Sequence, residues 1–150
     1  MHTLTLGQGH RKGETFKDGS TKADRKYIDF IVSGQSLGEL FGIAESDLIG
    51  TFGWIDNKEY ERRQIDEFLG KEKPESETGR TSYYVCPECG DIECGAITAK
   101  IEVTDTSVIW KDFGYENNSA EPNLEDYKQI GPFTFDKTEY FNTLKVLIKN

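Results

Sequence analysis

The sequence predicts an α+β fold, in which an antiparallel sheet packs against two or three helices within a single domain. One observation is that residues 82–113 hold three runs rich in β-branched and aromatic side chains, joined by short polar connections. Another is that apolar side chains recur at helical spacing in three other segments, each behind a capping residue. A chain of 150 residues can bury one core without disulfides or metals.

The first half of the chain predicts one strand followed by two helices. Residues 27–33 are rich in Ile, Val and aromatic side chains, which is typical of a strand. Ser36 and Glu39 have capping-box spacing and predict the start of a short helix. Asp56 and Glu59 repeat that spacing ahead of a longer helix over 57–69. Gly70 should end this second helix, and the charged segment 71–80 should be an exposed loop.

The second half predicts most of the sheet. Three strands are expected over 83–85, 96–103 and 107–113, and the second alternates apolar and polar side chains as a half-buried strand does. Residues 104–106 form a connection short enough for a hairpin, so the last two strands should be antiparallel neighbours. Residues 114–127 are polar and should form a long loop.

The C-terminal segment carries a strong helix signal. Asp136 is an N-cap candidate with Glu139 three residues later, while Phe135 and Tyr140 stand at the positions of a hydrophobic staple. Apolar side chains then follow helical spacing, which predicts a helix over 137–148.

Residues 1–26 are expected to form a flexible basic arm outside the domain, which would span 27–150. This segment is rich in Gly, Lys, Ser and Thr, and its composition offers little apolar surface to offset the entropy lost on ordering. It holds six Lys and Arg residues against three Asp and Glu residues, and both histidines of the chain, His2 and His10.

The charge distribution excludes some classes of partner. The net charge is −9, and residues 86–126 hold ten Asp and Glu residues against two Lys residues. Such a surface repels phosphate backbones and attracts basic proteins, so we expect no direct nucleic-acid binding. No window is apolar enough for a membrane helix, and the N-terminus lacks the apolar region of a secretory signal. We therefore expect a cytoplasmic protein without membrane contact.

Three cysteines, Cys86, Cys89 and Cys94, lie in one short segment with the pattern C-P-E-C-G. This pattern is typical of a zinc knuckle, but a closed zinc site needs four ligands, and the fourth would be His2, His10 or a carboxylate. Neighbouring carboxylates raise thiol pKa values, which disfavours a redox dithiol. Reduced structural thiols are the favoured interpretation, and a zinc site or a thiol oxidoreductase are the alternatives.

Catalysis is not expected. Neither a G-x-S-x-G elbow nor a G-x-x-x-x-G-K-[ST] phosphate loop is present, and both histidines lie in the segment expected to be mobile. We therefore predict a protein that is not an enzyme, needs no cofactor and has no small-molecule substrate.

Acidic and aromatic side chains alternate along residues 110–127, as in surfaces that bind basic proteins. Trp110 lies on an apolar strand and is expected in the core, whereas Tyr115 is a better interface candidate.

Three stretches together resemble a family of small bacterial proteins: YVCPECGDIECGAIT at 84–98, WKDFGYEN at 110–117 and GPFTFD at 131–136. Strings of this kind occur in proteins labelled as oxidoreductases and in immunity proteins encoded beside polymorphic or contact-dependent toxins. The resemblance implies an immunity protein that neutralises a cognate toxin domain, a nuclease and more readily an RNase than a DNase, by occluding its active site or substrate groove. The acidic segment and this resemblance together suggest the toxin contacts Asp91, Glu93, Asp112, Tyr115 and Glu116.

Overall fold

The computed structural model describes residues 1–22, 24–54, 57–74, 78–87, 95–117 and 122–147. Its elements confirm the predicted α+β class. In chain order they are β1 (Leu4–Arg11), β2 (Glu14–Thr15), β3 (Thr21–Lys22), β4 (Arg25–Val32), β5 (Gln35–Ser36), α1 (Leu37–Phe41), α2 (Ile43–Ser46), β6 (Ile49–Gly50), α3 (Lys58–Phe68), β7 (Thr81–Val85), β8 (Ala96–Val103), β9 (Ser107–Glu116), a 3-10 helix (Glu125–Tyr127), β10 (Phe133–Asp136) and α4 (Lys137–Lys145).

The larger sheet has five strands in the order β10-β9-β8-β7-β6, and every neighbouring pair is antiparallel. Its three central strands are the three that the sequence predicts. The hairpin between β8 and β9 is also confirmed, and the Thr104 hydroxyl in its turn accepts a hydrogen bond from the Ser107 N–H at 2.9 Å. The predicted loop begins later than expected, because β9 continues to Glu116.

The prediction of a mobile arm over residues 1–26 is wrong for most of that segment. Strand β1 pairs with β4 from Leu4 to Arg11, and β2 and β3 form a small hairpin beyond it. Gly7 and Gly9 contributed to that prediction, but side chains of β4 cover both glycines. A Cβ on Gly7 would contact the Ile31 side chain, and a Cβ on Gly9 would overlap the Tyr27 ring.

Two isolated bridges join the smaller sheet, β1-β4-β5, to the larger one. The Ile28 N–H of β4 donates to the Phe52 carbonyl at 2.8 Å, just beyond β6. At the other edge the His2 N–H donates to the Thr134 carbonyl of β10 at 2.8 Å. The two sheets therefore meet at both edges and enclose a common core.

Helix α3 confirms the predicted second helix, with a different cap. The Asn57 side chain accepts from the Tyr60 N–H at 3.1 Å and is the N-cap, whereas the predicted cap, Asp56, lies outside the described residues. Gly70 ends the helix as expected. It adopts φ +76°, which glycine reaches without steric cost.

The other predicted helices also begin at their predicted caps. Ser36 accepts from the Glu39 N–H at 3.1 Å, and Asp136 accepts from the Glu139 N–H at 3.0 Å. In the described ranges no helix has the length and apolar character needed to cross a membrane.

The core is an aromatic cluster centred on Trp110, whose predicted burial is confirmed at 0% exposure. Its ring lies edge-on to those of Tyr83 and Phe135, with centroids 4.8 Å away in each case. The indole N–H donates to the Tyr140 hydroxyl at 3.1 Å, and that hydroxyl donates to the Phe68 carbonyl at 2.7 Å. One chain of hydrogen bonds thus ties β9 to α4 and to the end of α3.

Candidate partner-binding surface

Two bulges flank the middle of β8. The register between β7 and β8 shifts between Ser82 and Tyr84, and that between β8 and β9 shifts between Thr98 and Lys100. In the second bulge two residues of β9 lie opposite one residue of β8, and Asp112 is one of them. Asp112 adopts φ +57°, a left-handed conformation that Asp tolerates better than most residues. The bulge therefore changes the direction of β9 next to an exposed carboxylate.

The buried side chain of Arg80 holds the backbone of both strands at this bulge. Arg80 donates from Nε to the Thr98 hydroxyl and from Nη2 to the Thr98 carbonyl, both at 2.8 Å, and Nη2 also donates to the Asp112 carbonyl. Its side chain is only 4% exposed, so the expectation that the segment 71–80 is an exposed loop is wrong at Arg80. Burial lowers the pKa of the guanidinium, and the carboxylate of Glu116 opposes that shift.

Glu116 is the second member of this buried network. One carboxylate oxygen lies 3.9 Å from Arg80 Nε, and the side chain is 3% exposed. The Thr78 hydroxyl reaches both carboxylate oxygens, at 3.2 Å and 3.1 Å. The prediction that Glu116 contacts a partner is therefore wrong, because the residue is committed to the interior as the counter-ion of Arg80.

An exposed acidic and apolar surface surrounds the bulge, and we call it the acidic face. Its exposed members are Asp112, Leu124, Glu125 and Asp126, and Leu124 is 38% exposed. The segment from Asn123 to Tyr127 is held against β9: Asn123 exchanges two backbone hydrogen bonds with Tyr115, at 3.0 Å and 2.8 Å, and Leu124 lies over Gly114. A Cβ on Gly114 would overlap the Leu124 side chain, so glycine makes this close packing possible.

Two half-buried tyrosines complete the acidic face. Tyr127 packs edge-on against Phe41 of α1, with ring centroids 5.3 Å apart. The pKa of the Tyr127 hydroxyl is raised mainly by burial and, to a smaller extent, by the negative charge of Asp126. The Tyr115 ring lies across Gly95 at the start of β8. Both rings are therefore anchored on the domain rather than free in solvent, which reduces the entropy that they would lose on binding.

The cysteine segment is described only in part. Cys86 follows β7 directly and is half-buried, while Cys89 and Cys94 lie outside the described residues, as do the predicted contacts Asp91 and Glu93. Among the residues that are described, no three His, Cys, Asp or Glu side chains are grouped as metal ligands. The zinc, redox and structural-thiol interpretations of the three cysteines therefore all stay predictions.

Basic side chains of the N-terminal segment form a separate cluster around Asp47. Arg11 donates to both carboxylate oxygens of Asp47, at 2.8 Å and 3.0 Å, and the Lys22 ammonium lies 3.2 Å away. These contacts lower the pKa of Asp47, and the hydrogen bond from Arg11 makes the largest contribution. His10 lies nearby on β1 and pairs with Asp24 at 2.7 Å, so the expectation of a mobile histidine is wrong. This cluster lines a cleft of about 580 Å³.

The sequence pattern found the acidic segment but missed the residue that organises it. Arg80 stands between a charged loop and a strand, and only its burial and its hydrogen bonds to Thr98 and Asp112, which are distant in the chain, show that its side chain points inward. Comparison of the chain with protein-family models, with curated proteins and with solved structures found no match.

Proposed function

We propose that this chain is an immunity protein that binds a cognate bacterial toxin domain and blocks its active site or substrate groove. The observation that carries the proposal is the acidic face. Exposed carboxylates at Asp112, Glu125 and Asp126 lie on β9 or on the segment held against it, together with an exposed leucine and two anchored tyrosines, and Glu125 also pairs with Lys128 at 2.7 Å. The resemblance of residues 84–136 to toxin-immunity proteins supports the same conclusion.

The chemistry of this surface suits a basic protein partner. Nuclease surfaces that hold phosphate are rich in Arg and Lys, and carboxylates can take the place of phosphate oxygens there. Leu124 and the tyrosine rings offer apolar area within the patch, and apolar and aromatic groups that become buried supply much of the binding energy of an interface. Charge attraction between an inhibitor of net charge −9 and a basic groove also speeds association.

The buried network under the bulge makes the acidic face rigid before binding. Because Arg80 holds the carbonyls of Thr98 and Asp112, the Asp112 carboxylate leaves the sheet from a fixed backbone position. A surface that is already ordered loses less entropy on association. We infer that the network around Arg80 preorganises the site, while the exposed carboxylates make the contacts.

The direct test uses a candidate toxin domain taken from a neighbouring gene. Co-expression should rescue growth of cells that produce the toxin, and the purified proteins should elute as one complex in gel filtration. Association should slow as salt is raised, because screened charges steer less well. Failure to form a complex, together with undiminished toxicity on co-expression, would refute the proposal.

A further inference from the structure

Strand β1 has one open edge. In its ladder with β4 the Ser33 N–H donates to the Thr3 carbonyl at 2.9 Å. With this register, the backbone N–H and C=O groups of the odd-numbered residues of β1 point toward β4. The even-numbered residues face the other way. There the His2 N–H bonds to Thr134, and the Leu4 carbonyl accepts from the Thr143 hydroxyl at 3.2 Å. The next outward-facing residues along this edge are Leu6, Gln8 and His10.

The backbone groups of these three residues on the outer edge have no hydrogen-bond partner within the described part of the chain. Proteins usually protect such an edge with a lysine, a proline or a bulge. Strand β1 runs in register with β4 without a bulge, and it carries neither a charge nor a proline from Leu4 to Gly9. The edge is therefore suited to accept another strand.

We propose that the occupant is β1 of a second copy, paired antiparallel about a two-fold axis at Gln8. In this register Gln8 lies opposite its own symmetry mate, and Leu6 lies opposite His10 of the partner subunit. The three outward-facing residues of each strand would then exchange about six N–H···O hydrogen bonds. A glutamine amide is self-complementary, since each side chain can donate to and accept from the other. The exposed Gln8 side chains meet at the axis.

Sterics and charge both favour the antiparallel arrangement. Gly7 of one strand would lie opposite Gly9 of the other, so no side chains collide beside the axis. A parallel pair in register would set Arg11 and Lys12 beside identical cations, whereas the antiparallel pair sets them beside uncharged residues. Arg11 already has the counter-ion Asp47. Repulsion between the two basic segments is therefore reduced.

Light scattering of the full chain over a range of concentrations tests this dimer. The mass should rise from that of one chain toward that of two. Gln8→Lys sets two cations against each other at the axis, and Gln8→Pro removes only an outward-facing N–H, so both variants should stay monomeric. Gln129→Lys makes the same charge change at another exposed glutamine and should still dimerise.

Circular dichroism verifies that each variant is folded, and Gln8→Lys retains the test if the proline variant does not fold. A single-chain mass at every concentration would overturn the proposal, as would a dimer that both Gln8 variants retain. If the protein is monomeric and the Gln8 variants instead lose toxin binding, the edge receives a toxin strand and the second-copy proposal is wrong. Toxin binding through the acidic face is measured separately, so the two proposals fail independently.

Discussion

Removing the side chain of Arg80 should destabilise the domain far more than removing an ordinary surface arginine. The change Arg80→Met keeps much of the apolar volume but deletes three hydrogen bonds, two to Thr98 and one to the Asp112 carbonyl. It also leaves the Glu116 carboxylate, which is 3% exposed, without its cation. Breaking a buried ion pair by removing one partner costs about 3–5 kcal/mol. Because the charged groups are 3.9 Å apart, we expect the lower end, about 3 kcal/mol.

Urea unfolding followed by tryptophan fluorescence measures this loss, because Trp110 is fully buried and reports on the core. The matched control is Arg62→Met on α3. Arg62 pairs with Asp66 at 3.4 Å but its side chain is 57% exposed, so its loss should cost no more than about 0.5 kcal/mol.

The coupling between Arg80 and Glu116 separates the ion pair from the hydrogen bonds. Glu116→Gln removes the charge but keeps an acceptor for Thr78, and it should cost about 1 kcal/mol alone. The double variant should be more stable than the sum of the single losses predicts, by about 1 kcal/mol. A loss under about 1 kcal/mol for Arg80→Met, or strict additivity, would refute the role assigned to the network.

Three further predictions concern other parts of the chain. Contacts with Arg11 lower the pKa of Asp47 below 3.8. The stability that these contacts supply is therefore present above pH 3.8 and is lost as the pH falls through the lowered pKa. Between about pH 5 and pH 2 the Asp47→Asn variant should lose less unfolding free energy than the wild type, and equal losses would contradict this. A Cβ on Gly50 would overlap a backbone carbonyl of β4, so Gly50→Ala should cost about 2 kcal/mol in urea unfolding, and an unchanged midpoint would show that β6 can move away. Elemental analysis of the wild type and of Cys89→Ser tests the zinc site: a stoichiometric metal that is lost in the variant would favour zinc, and the absence of metal from the wild type would exclude it. A thiol count that stays at three under mild oxidation would exclude a redox disulfide.

The local signals in the sequence predicted those elements whose caps and periodicity lie within one segment. Ser36 and Asp136 cap the helices that their spacing predicts, and the alternating run 96–103 is the strand β8. These features depend on neighbours in the chain, so a single sequence contains them. The burial of Trp110 followed from the apolar strand around it.

The errors occurred where a distant segment decides the outcome. The composition of β1 indicates disorder, but Tyr27 and Ile31 cover its glycines, and this pairing joins residues far apart in the chain. Arg80 and Glu116 are charged and therefore looked exposed, although a bulge in β9 gives the guanidinium a buried set of acceptors. Charge alone predicts exposure only when no buried counter-ion is available.

In the acidic face, the fold preserves only part of the pattern seen in the sequence. Alternation of acidic and aromatic residues along 110–127 predicts an interface, but the fold divides its members between surface and core. Asp112 stays exposed because the bulge turns it outward, while Glu116, four residues later, is buried.

The most direct test of the proposed function is calorimetric titration of the cognate toxin domain with a variant that neutralises the acidic face. Asp112→Asn keeps a residue that tolerates positive φ, and Glu125→Gln and Asp126→Asn keep side-chain size. The matched control removes the same charge at exposed sites elsewhere, through Asp105→Asn, Glu59→Gln and Glu72→Gln.

At about 0.5–1 kcal/mol for each of the three lost charge contacts, the face variant should bind about 10–150-fold more weakly than the wild type. It should also depend less on salt, while the control binds within about twofold of the wild type. Equal affinity of the face variant and the wild type, or an equal loss in the control, would contradict the proposal that this surface holds the toxin.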